Sequence, residues 1–80
     1  MNRLFHIISD AESARVRKTI MELGLAENFR FLNVEVNEAG RKELLEKLGK
    51  IQVPAADIGN QFFIGATAII NALQASFKRS

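Results

Sequence analysis

The stretch from Val53 to Thr67 constrains the fold of this chain more than any other part of the sequence. It holds the only proline, Pro54, and two short, mostly apolar segments separated by Gly59-Asn60. A two-residue Gly-Asn step between such segments predicts a β-hairpin with strands at 55–58 and 61–64. Because proline cannot donate a hydrogen bond to a sheet ladder, we place Pro54 at the start of the first hairpin strand.

The composition predicts a single globular domain over residues 1–80. Hydrophobic residues make up 48% of the chain and charged residues 25%, proportions that are typical of globular domains. No apolar run approaches the ~20 residues that a membrane helix needs, and the first residues lack the apolar core of a signal peptide. We therefore expect a cytoplasmic protein without a membrane segment.

The counts of reactive and basic residues exclude several classes of function. The chain has no cysteine and one histidine, which rules out disulfides, thiolate nucleophiles and cysteine-ligated metal centres. We expect no metal site. The formal net charge is only +2, and there is no Tyr or Trp to stack on bases, so we do not expect nucleic-acid binding.

The first half of the chain predicts a strand followed by a helix. Leu4–Ile8 is a short apolar run that is typical of a buried strand. The stretch from Ser9 to Glu12 matches a capping box, in which Ser9 caps the helix and Glu12 bonds back to the Ser9 amide. Gly24 is expected to end this helix, with Leu25 making the apolar contact that accompanies such a cap.

Two further helices complete the pattern. Phe31–Val36 alternates as an edge strand does, a second helix begins at Asn37 and ends at Gly49, and Thr67 is expected to cap a third. The residues expected to face the core are Leu44, Leu45 and Leu48 in the second helix and Ile69, Ile70, Leu73 and Phe77 in the third. Lys78 and Arg79 follow the third helix, where their positive charges suit the negative end of its dipole. The predicted order is β-α-β-α-β-β-α, an α/β fold with two parallel strands and an antiparallel hairpin.

The stretch from Val53 to Gly65, together with this order of elements, resembles the glutaredoxin and thioredoxin-like family. The resemblance covers nearly the whole chain and implies a four-stranded mixed sheet flanked by three helices. It also implies that Pro54 is cis, and that the backbone of the residue before it pairs with bound glutathione or a substrate peptide. The cleft implied by the resemblance is formed by Ser9, Val53, Pro54, Gly65, Ala66 and Thr67.

The sequence departs from this family where the family carries its chemistry. The Cys-x-x-Cys motif corresponds to Asp10–Ser13, so Asp10 and Ser13 occupy vestigial active-site positions. The family stabilises a thiolate at this helix N-terminus, whereas here Asp10 and Glu12 place negative charge there. The acidic residue with which glutaredoxins hold glutathione after the Gly65 position is also missing. These departures predict no redox activity and disfavour glutathione as a ligand.

Two pairs of residues in the predicted strands suggest further roles. His6 and Asp57 are polar residues in apolar strands that should be antiparallel neighbours. There they would form a structural ion pair, two independently solvated side chains or a catalytic dyad. Phe62 and Phe63 point to opposite faces of the last strand, either beneath a helix or in an exposed patch.

The sequence therefore predicts a redox-inactive domain that binds a peptide or protein without catalysis, through the cleft beside Pro54 or through an edge strand. The alternative is a glutathione-binding or glutathione-transferase-like enzyme, in which the hydroxyl of Ser9, Ser13 or Thr67 replaces the cysteine. A homodimer through an edge strand is a further hypothesis. We expect no cofactor, and the sequence does not identify the partner.

Overall fold

The structure, a computed structural model, describes residues 2–77. It confirms the predicted order of strands and helices and adds one short 3₁₀ helix, Ala26–Asn28. The elements are β1 (Asn2–His6), α1 (Ala11–Glu22), β2 (Phe29–Asn33), α2 (Glu38–Leu48), β3 (Ala55–Ile58), β4 (Gln61–Ile64) and α3 (Ala66–Ser76).

The four strands form one mixed sheet in the order β2-β1-β3-β4. β1 is parallel to β2, to which it is connected through α1, and antiparallel to β3. β3 and β4 form the antiparallel hairpin. The predicted α/β topology is confirmed, and β2 and β4 are the edge strands, β2 as its alternating sequence predicted.

The hairpin has the strand bounds that its sequence predicted. Its turn residues Gly59 and Asn60 both have positive φ angles, 56° and 67°. A two-residue turn of this kind matches the twist of the flanking strands, and glycine and asparagine adopt its left-handed backbone at the lowest cost. Ile58 and Gln61 close the turn as facing residues.

Each face of the sheet packs against helices. On one face, which we call the α1/α3 face, the buried residues are Leu4, Val16, Ile20, Phe29, Ala56, Ile58, Ala66, Ile69 and Leu73, with Ile70, Phe63 and Phe77 packed against them. On the other, the α2 face, the buried residues are Phe5, Leu32, Val34, Leu44 and Ala55, with Leu48 and Phe62 packed against them. The core stripe predicted for the last helix is confirmed, and Phe62 and Phe63 lie on opposite faces.

Three apolar residues that the sequence analysis placed in a strand or in the core-facing stripe of a helix are exposed. β1 ends at His6, which leaves Ile8 outside the strand, and β2 ends at Asn33, which leaves Val36 outside it. The Asn33 carbonyl accepts hydrogen bonds from the amides of Val36 and Asn37, so the chain turns where the alternating pattern continues. Leu45 is also exposed, because α2 buries a narrower stripe centred on Leu44.

The helix ends follow local signals with one exception. Gly24, with φ of 71°, donates to the Met21 carbonyl while Leu25 donates to Ile20, the paired hydrogen bonds of a glycine-ended helix. Asn37 Oδ1 accepts from the Gly40 amide at 2.7 Å. The expectation for Thr67 is wrong: Gly65 occupies the N-cap of α3 and supplies no side-chain cap. Lys78 and Arg79 lie outside the described residues.

None of the helices within residues 2–77 combines the length and apolar character that crossing a membrane requires.

Candidate functional site

The sheet brings the residues of the predicted cleft to one of its ends. Phe5 faces Ala55, and Ala55 faces Ile64, so β1 and β4 finish where β3 begins. β2 runs parallel to β1 and finishes at the same end. We call this the Pro54 end of the sheet. The loops and the first turn of α3 at this end hold Ser9 and Thr67, which are exposed, Val53 and Gly65, which are half-buried, and Pro54 and Ala66, which are buried.

Pro54 and Gly65 are joined directly at this end. The Gly65 amide donates a hydrogen bond to the Pro54 carbonyl at 2.9 Å, and the Val53–Pro54 peptide bond is cis. The hydrogen bond from Gly65 to Pro54 holds the loop before β3 against the start of α3. The two loops therefore form one continuous surface.

The N-terminus of α1 is capped by Asp10 rather than by Ser9, so the predicted capping box is wrong. Asp10 has an extended backbone, and its Oδ2 accepts from the Ser13 amide at 2.8 Å. Ser9 is exposed one residue before the cap, and the Glu12 carboxylate lies 3.4 Å from the Arg15 guanidinium instead of reaching back. Aspartate and serine are equally good N-cap residues. Here Asp10 is the one whose side chain accepts a hydrogen bond from the third amide of the helix.

Ser13, where the family resemblance would place the second cysteine, has a structural role. Its side chain is fully buried, and its Oγ accepts a hydrogen bond from the Ile7 amide at 3.3 Å. Asp10 and Ser13 together tie the start of α1 to the end of β1. Neither side chain is a free nucleophile in this arrangement.

Arg17 is a site residue that the sequence analysis missed. Its guanidinium donates to the carbonyls of Ile7 and Ile8 at 3.2 and 3.1 Å, and its Nη1 lies 3.1 Å from Nδ1 of His6. The available signal was helical spacing, because Arg17 follows Ser13 by four residues and so shares its face of α1. Arg17 and Ser13 hold successive backbone groups of the β1–α1 loop.

His6 is buried against Arg17 and Phe31, not against Asp57. Its ring meets the Phe31 ring edge-on, with the centroids 5.9 Å apart. Since a guanidinium can only donate, Nδ1 of His6 accepts from Arg17 and the imidazole is neutral. Burial lowers the pKa of His6, and the neighbouring Arg17 cation lowers it further.

The predicted pairing of His6 with Asp57 is wrong because the strand register separates them. Asp57 faces Arg3 across the β1–β3 ladder, and its Oδ2 lies 2.9 Å from the Arg3 guanidinium. His6 lies three residues further along β1, beyond the last ladder pair. Arg3 also contacts the Glu43 carboxylate of α2. Burial alone would lower the pKa of Arg3, but its hydrogen bonds to Asp57 and Glu43 raise it.

Three exposed aliphatic side chains lie on successive loops at the Pro54 end. Val36 follows β2 and is 79% exposed, Ile8 follows β1 and is 60% exposed, and Ile51 precedes β3 and is 39% exposed. These loops are neighbours because the strands they adjoin are neighbours in the sheet. We call Ile8, Val36 and Ile51 the aliphatic patch. Met21, which is 63% exposed, lies at the other end of α1.

A separate pocket of about 170 Å³ lies between β2 and α2. Its lining residues are Arg3, Arg30, Leu32, Asn37, Ala39, Gly40 and Glu43. None of them belongs to the predicted cleft, and the charge of Arg3 is already matched by Glu43 and Asp57. Within residues 2–77 the structure gathers no three acidic or histidine side chains that could hold a metal ion.

Solved structures of other proteins share this architecture, among them the following two. A mutant of a thioredoxin-like protein superposes with a TM-score of 0.77 at 18% sequence identity, covering 92% of this chain and 90% of that one. A diazinon-metabolizing glutathione S-transferase of the silkworm, Bombyx mori, superposes with a TM-score of 0.79 at 15% identity. The match covers 98% of this chain but 38% of the transferase. The chain therefore has a thioredoxin-like fold, although it contains no cysteine.

No protein-family model matches the sequence, and the search of curated proteins finds no significant match.

Proposed function

We propose that this protein is a redox-inactive thioredoxin-like binding module that holds an extended apolar segment of a partner protein at the Pro54 end. The observation that carries the proposal is the aliphatic patch. Three aliphatic side chains, one on each of three loops at the same end of the sheet, are exposed, and exposed apolar surface that is concentrated in one region marks an interaction site. Covering them would contribute roughly 25 cal/mol for each Å² of apolar surface removed from water.

The chemistry of the α1 N-terminus supports binding without catalysis. The chain has no cysteine, and the residues at the two vestigial positions are engaged in holding the helix. Ser13 accepts from the Ile7 amide, and Asp10 accepts from the Ser13 amide. These hydrogen bonds hold the start of α1 in place, and they occupy the Ser13 amide, which lies at a helix N-terminus of the kind that stabilises a thiolate.

The loop that carries Ile8 is held in place before a partner arrives. Arg17 donates to the carbonyls of Ile7 and Ile8, and Ser13 accepts from the Ile7 amide. A pre-organised loop loses little conformational entropy when a partner binds. Val53 precedes the proline of this end, and by the family resemblance its backbone would pair with an extended segment. Ile51 lies two residues before Val53 on the same loop, and Ile8 follows the neighbouring strand β1.

Two matched peptides test the proposal. One carries an extended Ile-Val-Leu-Ile core and the other Ser-Gln-Ser-Gln, within identical flanking sequences. We expect only the apolar peptide to shift the amide resonances of Ile8, Val36 and the residues before Pro54. Exchanging Ile8 and Val36 together for Ser should weaken binding about tenfold or more, because two apolar contacts are lost. Met21→Ser removes a similarly exposed apolar side chain elsewhere and should leave affinity unchanged.

The proposal fails if both peptides bind equally, or if the Ile8 and Val36 variant binds as the parent protein does.

Glutathione binding is the second candidate, because Ser9 and Thr67 are exposed hydroxyl-bearing residues at the same end and α3 begins without a side-chain cap. Ser13 is unsuited to the role, since its hydroxyl is buried. Titration with reduced glutathione separates the two candidates. Saturable shifts at Val53, Gly65 and Ala66 that are weakened by Thr67→Val would favour the enzyme-like alternative. Binding confined to the apolar peptide would favour the module.

A further inference from the structure

The outer strand β4 presents its backbone to a partner in a defined pattern. The two-residue turn makes Ile58 and Gln61 a hydrogen-bonded pair, and pairing then alternates along the ladder. Phe63 therefore bonds to β3, whereas Phe62 and Ile64 direct their amide and carbonyl groups away from it. β4 is the outermost strand of the sheet in residues 2–77, so these four groups face outward.

The two edges of the sheet differ in how they are protected from pairing. Natural edge strands usually carry a charge, a proline or a bulge that prevents association. β2 carries the exposed Arg30, one residue before its central Phe31, and so has a charge of the kind that discourages pairing. β4, with the sequence Gln-Phe-Phe-Ile, has neither a charge nor a proline. Of the two edges, β4 is the one open to a second copy.

We propose that two copies of this chain pair antiparallel through β4, about a two-fold axis at Phe63. In this register Phe62 of each copy faces Ile64 of the other, and their four outward groups form two hydrogen-bonded pairs. The two Phe63 residues face each other as the non-hydrogen-bonded pair between those two pairs, and the side chains of such a pair lie close together. The two sheets would become one sheet of eight strands.

The same register also brings a polar side chain to the N-terminus of α3, which has no side-chain cap within its own copy. For this reason a second copy is the occupant that we favour. Gln61 faces Gly65 of the other copy, the residue at which α3 begins. Gln61 is exposed and lies on the α1/α3 face with Phe63, by strand alternation. α3 has no side-chain cap and no acidic residue in its first turn. The Gln61 side-chain oxygen would sit at the positive end of that helix, and the symmetry repeats the contact.

The interface is small, so the dimer should be weak. Four residues on each side bury far less than the ~1,200 Å² at which stable interfaces begin. We expect association that depends on concentration between about 10 μM and about 1 mM. Sedimentation equilibrium over this range measures it, and hydrogen exchange at the Phe62 and Ile64 amides should slow as the dimer forms. The β2 amides should not change.

Opposite charges at one position test the register. Gln61→Lys places a cation at the positive end of α3 in the other copy, and it should raise the dissociation constant of the dimer about tenfold. Gln61→Glu should leave it unchanged or lower it. Gln74→Lys and Gln74→Glu make the same changes at an exposed position on α3 away from the edge, and neither should alter the dissociation constant.

The outcomes decide the proposal. A protein that stays monomeric to about 1 mM overturns it. So does a dimer that is equally weakened by both charges at Gln61, or one in which the β2 amides are protected instead. A dimer weakened by lysine and retained with glutamate supports this register.

Discussion

Nη1 of Arg17 lies 3.1 Å from Nδ1 of His6, so a cation from α1 contacts the only imidazole of the chain at the buried end of β1. The same guanidinium holds the carbonyls of Ile7 and Ile8. A protonated His6 would lose its role as acceptor and would face a like charge. This contact links the protonation of His6 to the geometry of the Pro54 end.

We expect the pKa of His6 to lie below its usual value of 6.5, first because of burial and then because of Arg17. The unfolded chain then binds more protons than the folded one, so the free energy of unfolding should fall as pH is lowered from about 6.5 through the folded pKa. An NMR titration of the imidazole, with urea unfolding at each pH, measures both effects. Arg17→Gln should raise the pKa of His6 without restoring 6.5. A titration at or above 6.5 in the parent protein would contradict this assignment.

Asp10→Ala should lower the free energy of unfolding by about 1 kcal/mol, because the Ser13 amide loses its N-cap acceptor. For a domain of this size that lowers the melting temperature by roughly 4–8 °C. Ser9→Ala is the matched control and should change stability by less than ~0.5 kcal/mol, since Ser9 is exposed outside the cap. Thermal unfolding of both variants distinguishes the two caps. If Ser9→Ala is the more costly change, Ser9 is the cap.

Ser13→Ala should cost about 1–3 kcal/mol, because it leaves the Ile7 amide without its acceptor in a part-buried site. Thr19→Ala removes a hydroxyl from the same helix, but that hydroxyl bonds to the Arg15 carbonyl at the surface. We expect the control to cost less than ~0.5 kcal/mol. Urea unfolding measures both changes. Equal costs would mean that the Ser13 hydroxyl does not hold the loop.

Arg3→Met should cost about 1.5–3 kcal/mol, the range for hydrogen bonds between charged groups. In the parent protein the Arg3 guanidinium lies 5.2 Å from the centroid of the Phe5 ring. Methionine keeps an apolar stem over this ring, but it leaves Glu43 and Asp57 as neighbouring like charges. Arg15→Met breaks only the exposed contact with Glu12 and should cost less than ~1 kcal/mol.

Denaturant unfolding at low and high salt measures this difference. A loss for Arg3→Met no larger than that for Arg15→Met would show that the three-residue network does not stabilise the fold.

The parts of the fold that the sequence predicted are those whose signals are local. The turn at Gly59-Asn60, the helix ends at Gly24 and Gly49 and the Asn37 cap each depend on contacts within a few residues. At the start of α1 several acceptors compete within one turn, and only the folded position of the helix selects Asp10 over Ser9. The candidate site was predicted less well. The exposure of the aliphatic patch and the contacts of Arg17 depend on how the loops fold against one another.

The sequence by itself determined the order of the elements, the hairpin and the lack of cysteine, because these follow from local backbone preferences and from residue counts. Tertiary structure decided which side chains meet. Arg3 and Asp57 are 54 residues apart, and the register of β1 against β3 pairs them and leaves His6 to Arg17. A shift of one residue in that register would turn every side chain of a strand to the opposite face, and no local pattern specifies it to that accuracy.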